Sequence, residues 1–228
     1  MATRRTSPAR APLTTEKLEQ LTADDFARLK LTDDEGVRLR EINMERRRAR
    51  AERSARLAIE EAPILVNLRE IGWKVESVWV LVNTSTKYTE AIPILLKHLL
   101  LPYSDRTRER IARCLAVPEL EVRKAWPTLV GEYRKATMGR GIIAPGDTEE
   151  YRLGAKDGLA CALSVAVTDE TLPELIALTK DRTQGESRVL LLSPLKKRRA
   201  KNPLAKQAID ELASDPDLEK EIASWRTR

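Results

Sequence analysis

The sequence predicts an all-α fold, a solenoid of stacked helix pairs with a helical extension at its N-terminus. Three observations lead there. Ala, Leu, Arg and Glu dominate the composition and favour helix, while one Phe and four Tyr argue against an aromatic-rich sheet. From Ala62 onward the apolar residues are dense and helix-periodic, in segments of about ten to fifteen residues divided by short polar turns. Two landmarks also recur with a single offset: Pro93 and Pro173 are 80 residues apart, and so are Arg108 and Arg188.

At 228 residues the chain makes one domain, or one domain with an appendage. Residues 1–14 are poor in apolar side chains and read as a disordered tail. MATRRTSPARAPLTTEK has the basic start of a signal peptide without an apolar core, which points to a cytoplasmic protein rather than a secreted one. Residues 15–61 form the extension. Thr22 and Asp25 resemble a capping box with Asp in place of Glu, and Thr32 with Glu35 opens a longer helix. That helix runs to about Glu61, where Pro63 ends it. Val37, Met44, Ala51 and Ala58 recur every seven residues as a thin apolar seam. Arg46, Arg47, Arg48, Arg50, Arg53 and Arg56 crowd the remaining surface, either as a solvated face or as a basic arm.

Residues 62–228 form the repeat domain. SVWVLVN is β-prone in composition, but Val75, Val78, Trp79 and Val82 follow helical spacing, so it reads as helix. Aligning Ile111, Leu159, Leu191 and Ile209 places Arg108, Lys156, Arg188 and Lys206 three residues earlier. Leu115, Leu163, Leu195 and Leu212 then follow. The preceding segments AIPILLKHL and TLPELIALT both carry Pro at the third position. A first-turn Pro suits helix entry, because its missing N–H has no intrahelical partner there. The offset equals two units of about 40 residues, within the range of paired-helix repeats.

On these residues the stretch 62–222 resembles the HEAT-repeat family. The resemblance implies a right-handed α-solenoid in which an early-Pro helix is followed by a second helix carrying Arg or Lys before its apolar stripe. Arg108 and Arg188 match that position, as do Lys156 and Lys206. The family's turn Asp, six residues earlier, is absent; Pro102 and Arg182 stand there, with Asp105 and Asp181 nearby. The resemblance implies no activity.

The rare residues carry no catalytic pattern. His98, the single histidine, and Cys114 lack an orienting third group. Cys114 and Cys161 have no metal-ligand or disulfide spacing. No metal or other cofactor is implied, and no apolar run is long enough for a membrane span. MGRGIIAPGD, 138–147, lacks a phosphate-loop pattern and reads as a long, flexible connection of the kind that often contacts partners. SPLKKRRAKNP holds five Lys/Arg between 196 and 201. It reads as a solvated helix end or a nucleic-acid patch.

The function expected is a non-enzymatic scaffold or adaptor that binds a macromolecule, a protein before any other. Its contact residues would be Arg110, Arg113, Arg140, Ile142, Lys197 and Arg198, on the second-helix face and the 138–147 loop. No small-molecule substrate is expected. The net charge of +6 permits an anionic partner, so nucleic-acid binding is the alternative. Four Trp residues and a basic solenoid of this size resemble DNA glycosylases for alkylated bases, the enzymatic version of that alternative.

Overall fold

A computed structural model describes residues 10–225. The described residues are mostly helical, with thirteen α-helices and one short strand pair. Contacts divide the chain between Ser54 and Ala55, inside the third helix and upstream of the expected boundary at 61–62.

The first unit holds α1 (Thr15–Glu19), α2 (Ala23–Arg28) and the start of α3 (Asp33–Glu70). Thr22 and Asp25 form the expected capping box. Thr32 and Glu35 exchange backbone-to-side-chain hydrogen bonds of 2.9 and 3.3 Å, which satisfies amides at the α3 N-terminus. The buried Glu35 carboxylate also accepts from the Leu13 N–H at 2.7 Å and from Arg10 at 2.6 Å. Of the tail expected over 1–14, residues 1–9 lie outside the described residues, while Arg10 and Leu13 are tied down by Glu35.

Helix α3 differs from expectation in two ways. It continues through Pro63 to Glu70. The carbonyl that Pro63 leaves without a donor is that of Ile59. Both residues are exposed, so water can take that carbonyl. The expected seam also faces solvent, with Val37 44% and Met44 67% exposed. Ile42, Leu57, Ile64 and Leu68 are buried instead.

The second unit contains α4 (Trp79–Val82), α5 (Ile92–Leu99), α6 (Asp105–Cys114), α7 (Leu120–Lys124) and α8 (Trp126–Lys135). After a long loop come α9 (Ala155–Ala166), α10 (Leu172–Lys180), a 3₁₀ segment Arg182–Leu191, α11 (Leu192–Arg198), α12 (Pro203–Leu212) and α13 (Glu219–Ser224). Pro93, Pro127, Pro173 and Pro203 all stand in the first turn of their helices. Helix α6 packs on α5 and along α9; α8 packs on α9, α10 on the 3₁₀ segment, and α11 on α12. Gly158 permits the close α6–α9 approach, since a Cβ there would stand 2.9 Å from the Glu109 carbonyl oxygen. One apolar core runs through these elements, from Ile64 to Trp225.

The copy around Arg188 is not a regular second helix. Gly185 has φ of +62°, outside helical space, and the chain from Arg182 to Leu191 is 3₁₀. Pro194 cannot donate to the Leu190 carbonyl, and the Ser164 hydroxyl donates to it instead at 2.7 Å. The SVWVLVN segment forms only one helical turn, burying Val78 and Leu81 while Trp79 and Val80 stay exposed.

Three of the four aligned cations point inward. Arg188 is fully buried, and its guanidinium donates to the Thr179 carbonyl, to Asp215 and to Asp217. Arg108 pairs with Glu132 at 2.7 Å. The buried Lys156 ammonium donates to the Tyr133 and Ala136 carbonyls, both at 3.0 Å, and to Gln184 Oε1 at 2.9 Å. Lys206 is exposed.

Candidate partner-binding site

The loop between α8 and α9 is fastened at several points, contrary to the flexible connection expected. At its root, Lys156 takes carbonyls from the last turn of α8, where a cation also meets the negative end of the helix dipole. Burial pushes the Lys156 amine below its ordinary range, with Asp181 opposing. Its three acceptors still match the three protons of an ammonium.

Further along, Ile143 and Ala144 are buried, and the Ile143 carbonyl accepts from the Arg106 N–H at 2.9 Å. Arg56 donates to the Pro145 carbonyl at 2.5 Å and to Asp147 at 2.6 Å. Gly146, with φ of +72°, makes the turn that lets the Arg56 stem lie against it. The two flanks then pair as an antiparallel ladder, β1 (Arg140–Gly141) with β2 (Tyr151–Arg152).

At the far end the Asp105 carboxylate accepts from the Gly154 N–H at 2.7 Å and the Ala155 N–H at 3.1 Å. It thereby caps α9 from a different helix. Burial raises the Asp105 carboxyl above its usual range, and these two amide donors oppose the rise. A Cβ on Gly154 would lie 2.4 Å from Glu109 Oε2, so a side chain there would require the Glu109 carboxylate to turn away from Arg106 and Arg113.

With its ends and middle fixed, the loop exposes Met138 (42%), Ile142 (48%) and Arg140. Two clefts flank it. One of about 540 Å³ is lined by Met138, Arg140, Arg152, Leu153 and Gly185, among others. The other, about 640 Å³, is lined by Arg108, Lys135, Arg140 and Ile142 among others. Glu132 also lines the second cleft. Burial works to raise its carboxyl, but hydrogen bonds from Lys135 and Arg108 outweigh this and hold it below the usual range.

Of the six residues expected to contact a partner, the structure brings Arg140 and Ile142 together at the second cleft. Arg110 is turned to Glu61, whose other oxygen accepts from Ser77 and the Val78 N–H. Arg113 donates to Glu109 at 3.2 Å and reaches the Cys161 sulfur at 3.7 Å. Arg198 takes the Val167 carbonyl at the end of α9 at 2.9 Å and lies 3.4 Å from Asp169. Lys197 is exposed on α11. Arg152 and Lys135 lay outside the expected contact residues, and Met138 lay in the expected contact loop without being singled out. Arg152 enters only through the strand register, which two-residue strands do not announce.

His98 and Cys114 do not meet. His98 bonds Tyr103 Oη at 2.8 Å and Asn67 Oδ1 at 2.9 Å, so its Nε2 carries the proton and its Nδ1 accepts. Cys114 donates to the Val78 carbonyl, and burial with the nearby Glu61 charge pushes its thiol up to about 12. Trp126 is buried with its N–H on Glu174, and Trp225 with its N–H on Glu221. Among the described residues no group of His, Cys, Asp and Glu is arranged to hold a metal ion, and no helix is long and apolar enough to cross a membrane. No known family model, curated protein or solved structure matches this chain.

Proposed function

We propose that the chain is a non-enzymatic scaffold or adaptor of the cytoplasm, built as a right-handed HEAT-like solenoid, which binds a protein partner through the loop between α8 and α9. One observation carries this reading. The loop is fixed by Lys156, Asp105, Arg56 and the Arg106 amide, yet it holds Met138 and Ile142 out to solvent between two clefts. Preordering a surface lowers the entropy cost of association, and exposed apolar side chains rimmed by cations suit a protein interface. The order of packing, with α6 between α5 and α9, is compatible with stacked pairs.

The nucleic-acid alternative has less support. Arg110, Arg113 and Arg198, which would line a basic groove, are engaged with Glu61, Glu109 and Asp169. Affinity capture from a lysate with the wild type and with Met138→Ser/Ile142→Ser tests the reading. A protein partner retained by the wild type and lost by the variant supports it. Equal recovery from both removes the loop from the mechanism.

A further inference from the structure

Arg140 and Arg152 stand directly opposite each other in the β1–β2 ladder. The Leu153 N–H donates to the Gly139 carbonyl at 3.0 Å, so the neighbouring 139/153 pair is hydrogen-bonded. Antiparallel pairs alternate, which makes Arg140/Arg152 the non-hydrogen-bonded kind, with side chains at their closest. Two like charges at such a position oppose pairing.

The two arginines are compensated unequally, since Arg152 pairs with Glu186 and Asp157 while Arg140, among the described residues, does not pair with a carboxylate. Arg140 donates to a neutral acceptor, the Glu150 carbonyl, at 2.5 Å. Arg152 is 71% exposed, and its nearest carboxylates, Glu186 and Asp157, lie at 3.5 and 3.6 Å. Both arginine side chains line the first cleft, where an entering carboxylate would bond Arg140 and compete with the 88% exposed Glu186 for Arg152 through charge-assisted hydrogen bonds.

The flanking clefts specify the rest of the ligand. Both are lined by Met138 and Leu153, and Ile142 adds apolar surface to the second. They share Arg140, so a chain crossing the hairpin enters one cleft, passes the arginines and enters the other.

We propose that the hairpin docks an internal acidic segment of a partner protein. An Asp or Glu carboxylate sits between Arg140 and Arg152, and apolar side chains on either side of it fill the two clefts. A terminal carboxylate would leave one cleft empty. A nucleic-acid strand fits less well, because Tyr103 is the single aromatic side chain lining the two clefts and stacking platforms are what hold single strands. The inference rests on the protein-binding reading above and names its ligand chemistry.

The test selects a randomised segment of about ten residues, displayed internally in a carrier protein, on the full-length chain and on Arg140→Gln/Arg152→Gln. The expected result is enrichment of an acidic residue with apolar residues on both sides, seen with the wild type alone. Replacing that residue by its amide in the best binder should then weaken affinity by at least about tenfold. Equal enrichment on both proteins, or none of the acidic pattern, overturns the inference while loop-dependent capture still stands. Tighter binding of a homopolymer oligonucleotide that displaces the peptide overturns it in favour of nucleic acid.

Discussion

The Asp215 carboxylate grips the buried Arg188 guanidinium with both oxygens, at 3.0 and 3.3 Å. Asp217 adds a third charge-assisted bond at 2.6 Å. Removing Arg188 would leave the buried Asp215 with the largely exposed Arg182, at 3.3 Å, as its cationic partner, a poor substitute for a buried fork. Arg188→Met should therefore lower stability by about 3–5 kcal/mol, read as a drop in the urea midpoint. Arg188→Lys keeps the charge but loses the fork, and should fall between the two. A wild-type midpoint for Arg188→Met would deny the pair its structural role.

Gly154 and Glu109 give a test of how tightly the loop end is seated. Gly154→Ala forces its methyl group against the Glu109 carboxylate and should cost about 1–3 kcal/mol. The same substitution made with Glu109→Ala should cost less than the sum of the single changes, because the obstruction is gone. Additive losses in denaturant titrations would mean that the clash is absorbed elsewhere.

His98 predicts a pH dependence with a defined sign. Burial, with Lys97 assisting, holds its imidazole below the ordinary value. The unfolded chain therefore takes up a proton near about pH 6.5 while the folded chain does not. Stability is fully present above that value and falls as the pH drops below it. The denaturation midpoint should decline between about pH 7.5 and 5.5, and His98→Gln should flatten that decline. As the single histidine in the sequence, its ring protons are also directly assignable in a proton NMR titration.

The two thiols should react very differently. Cys114 is buried, with its pKa pushed up to about 12, while Cys161 is partly accessible and burial raises it less far. An aromatic disulfide reagent at neutral pH should label Cys161 slowly and leave Cys114 untouched until denaturant is added. Rapid labelling of Cys114 in the native protein would contradict its placement.

Local signals in the sequence transferred well. Thr22/Asp25 and Thr32/Glu35 cap their helices as their spacing predicts, and Pro93 and Pro173 open theirs. These features depend on residues within one turn of each other, so the pattern contains the whole interaction. The aligned position of Arg108, Lys156 and Arg188 was legible, but their partners Glu132, Tyr133, Gln184 and Asp215 were not, since they stand more than 20 residues away. Pro63 misled because the rule it obeys, a missing donor, decides nothing where the orphan carbonyl meets water. The partner-facing residues were the least legible. Arg110 and Arg198 are spent on Glu61 and Asp169, which stand far off in the chain, while Arg113 is spent on Glu109, one helical turn away. The Arg140/Arg152 pairing depends on a register that short strands do not encode in alternation.

The cap supplied to α9 by Asp105 has a consequence for how the chain folds. Gly154 precedes that helix and offers no side chain of its own, so the first amides of α9 have no local acceptor. A helix pays most heavily for its first turn, and here the residue that eases that step belongs to α6. The two helices should accordingly gain and lose order as one cooperative unit. Amide hydrogens at the start of α9 should exchange at the rate set by opening of α6, and a fragment beginning after Ala136 should fray at that end.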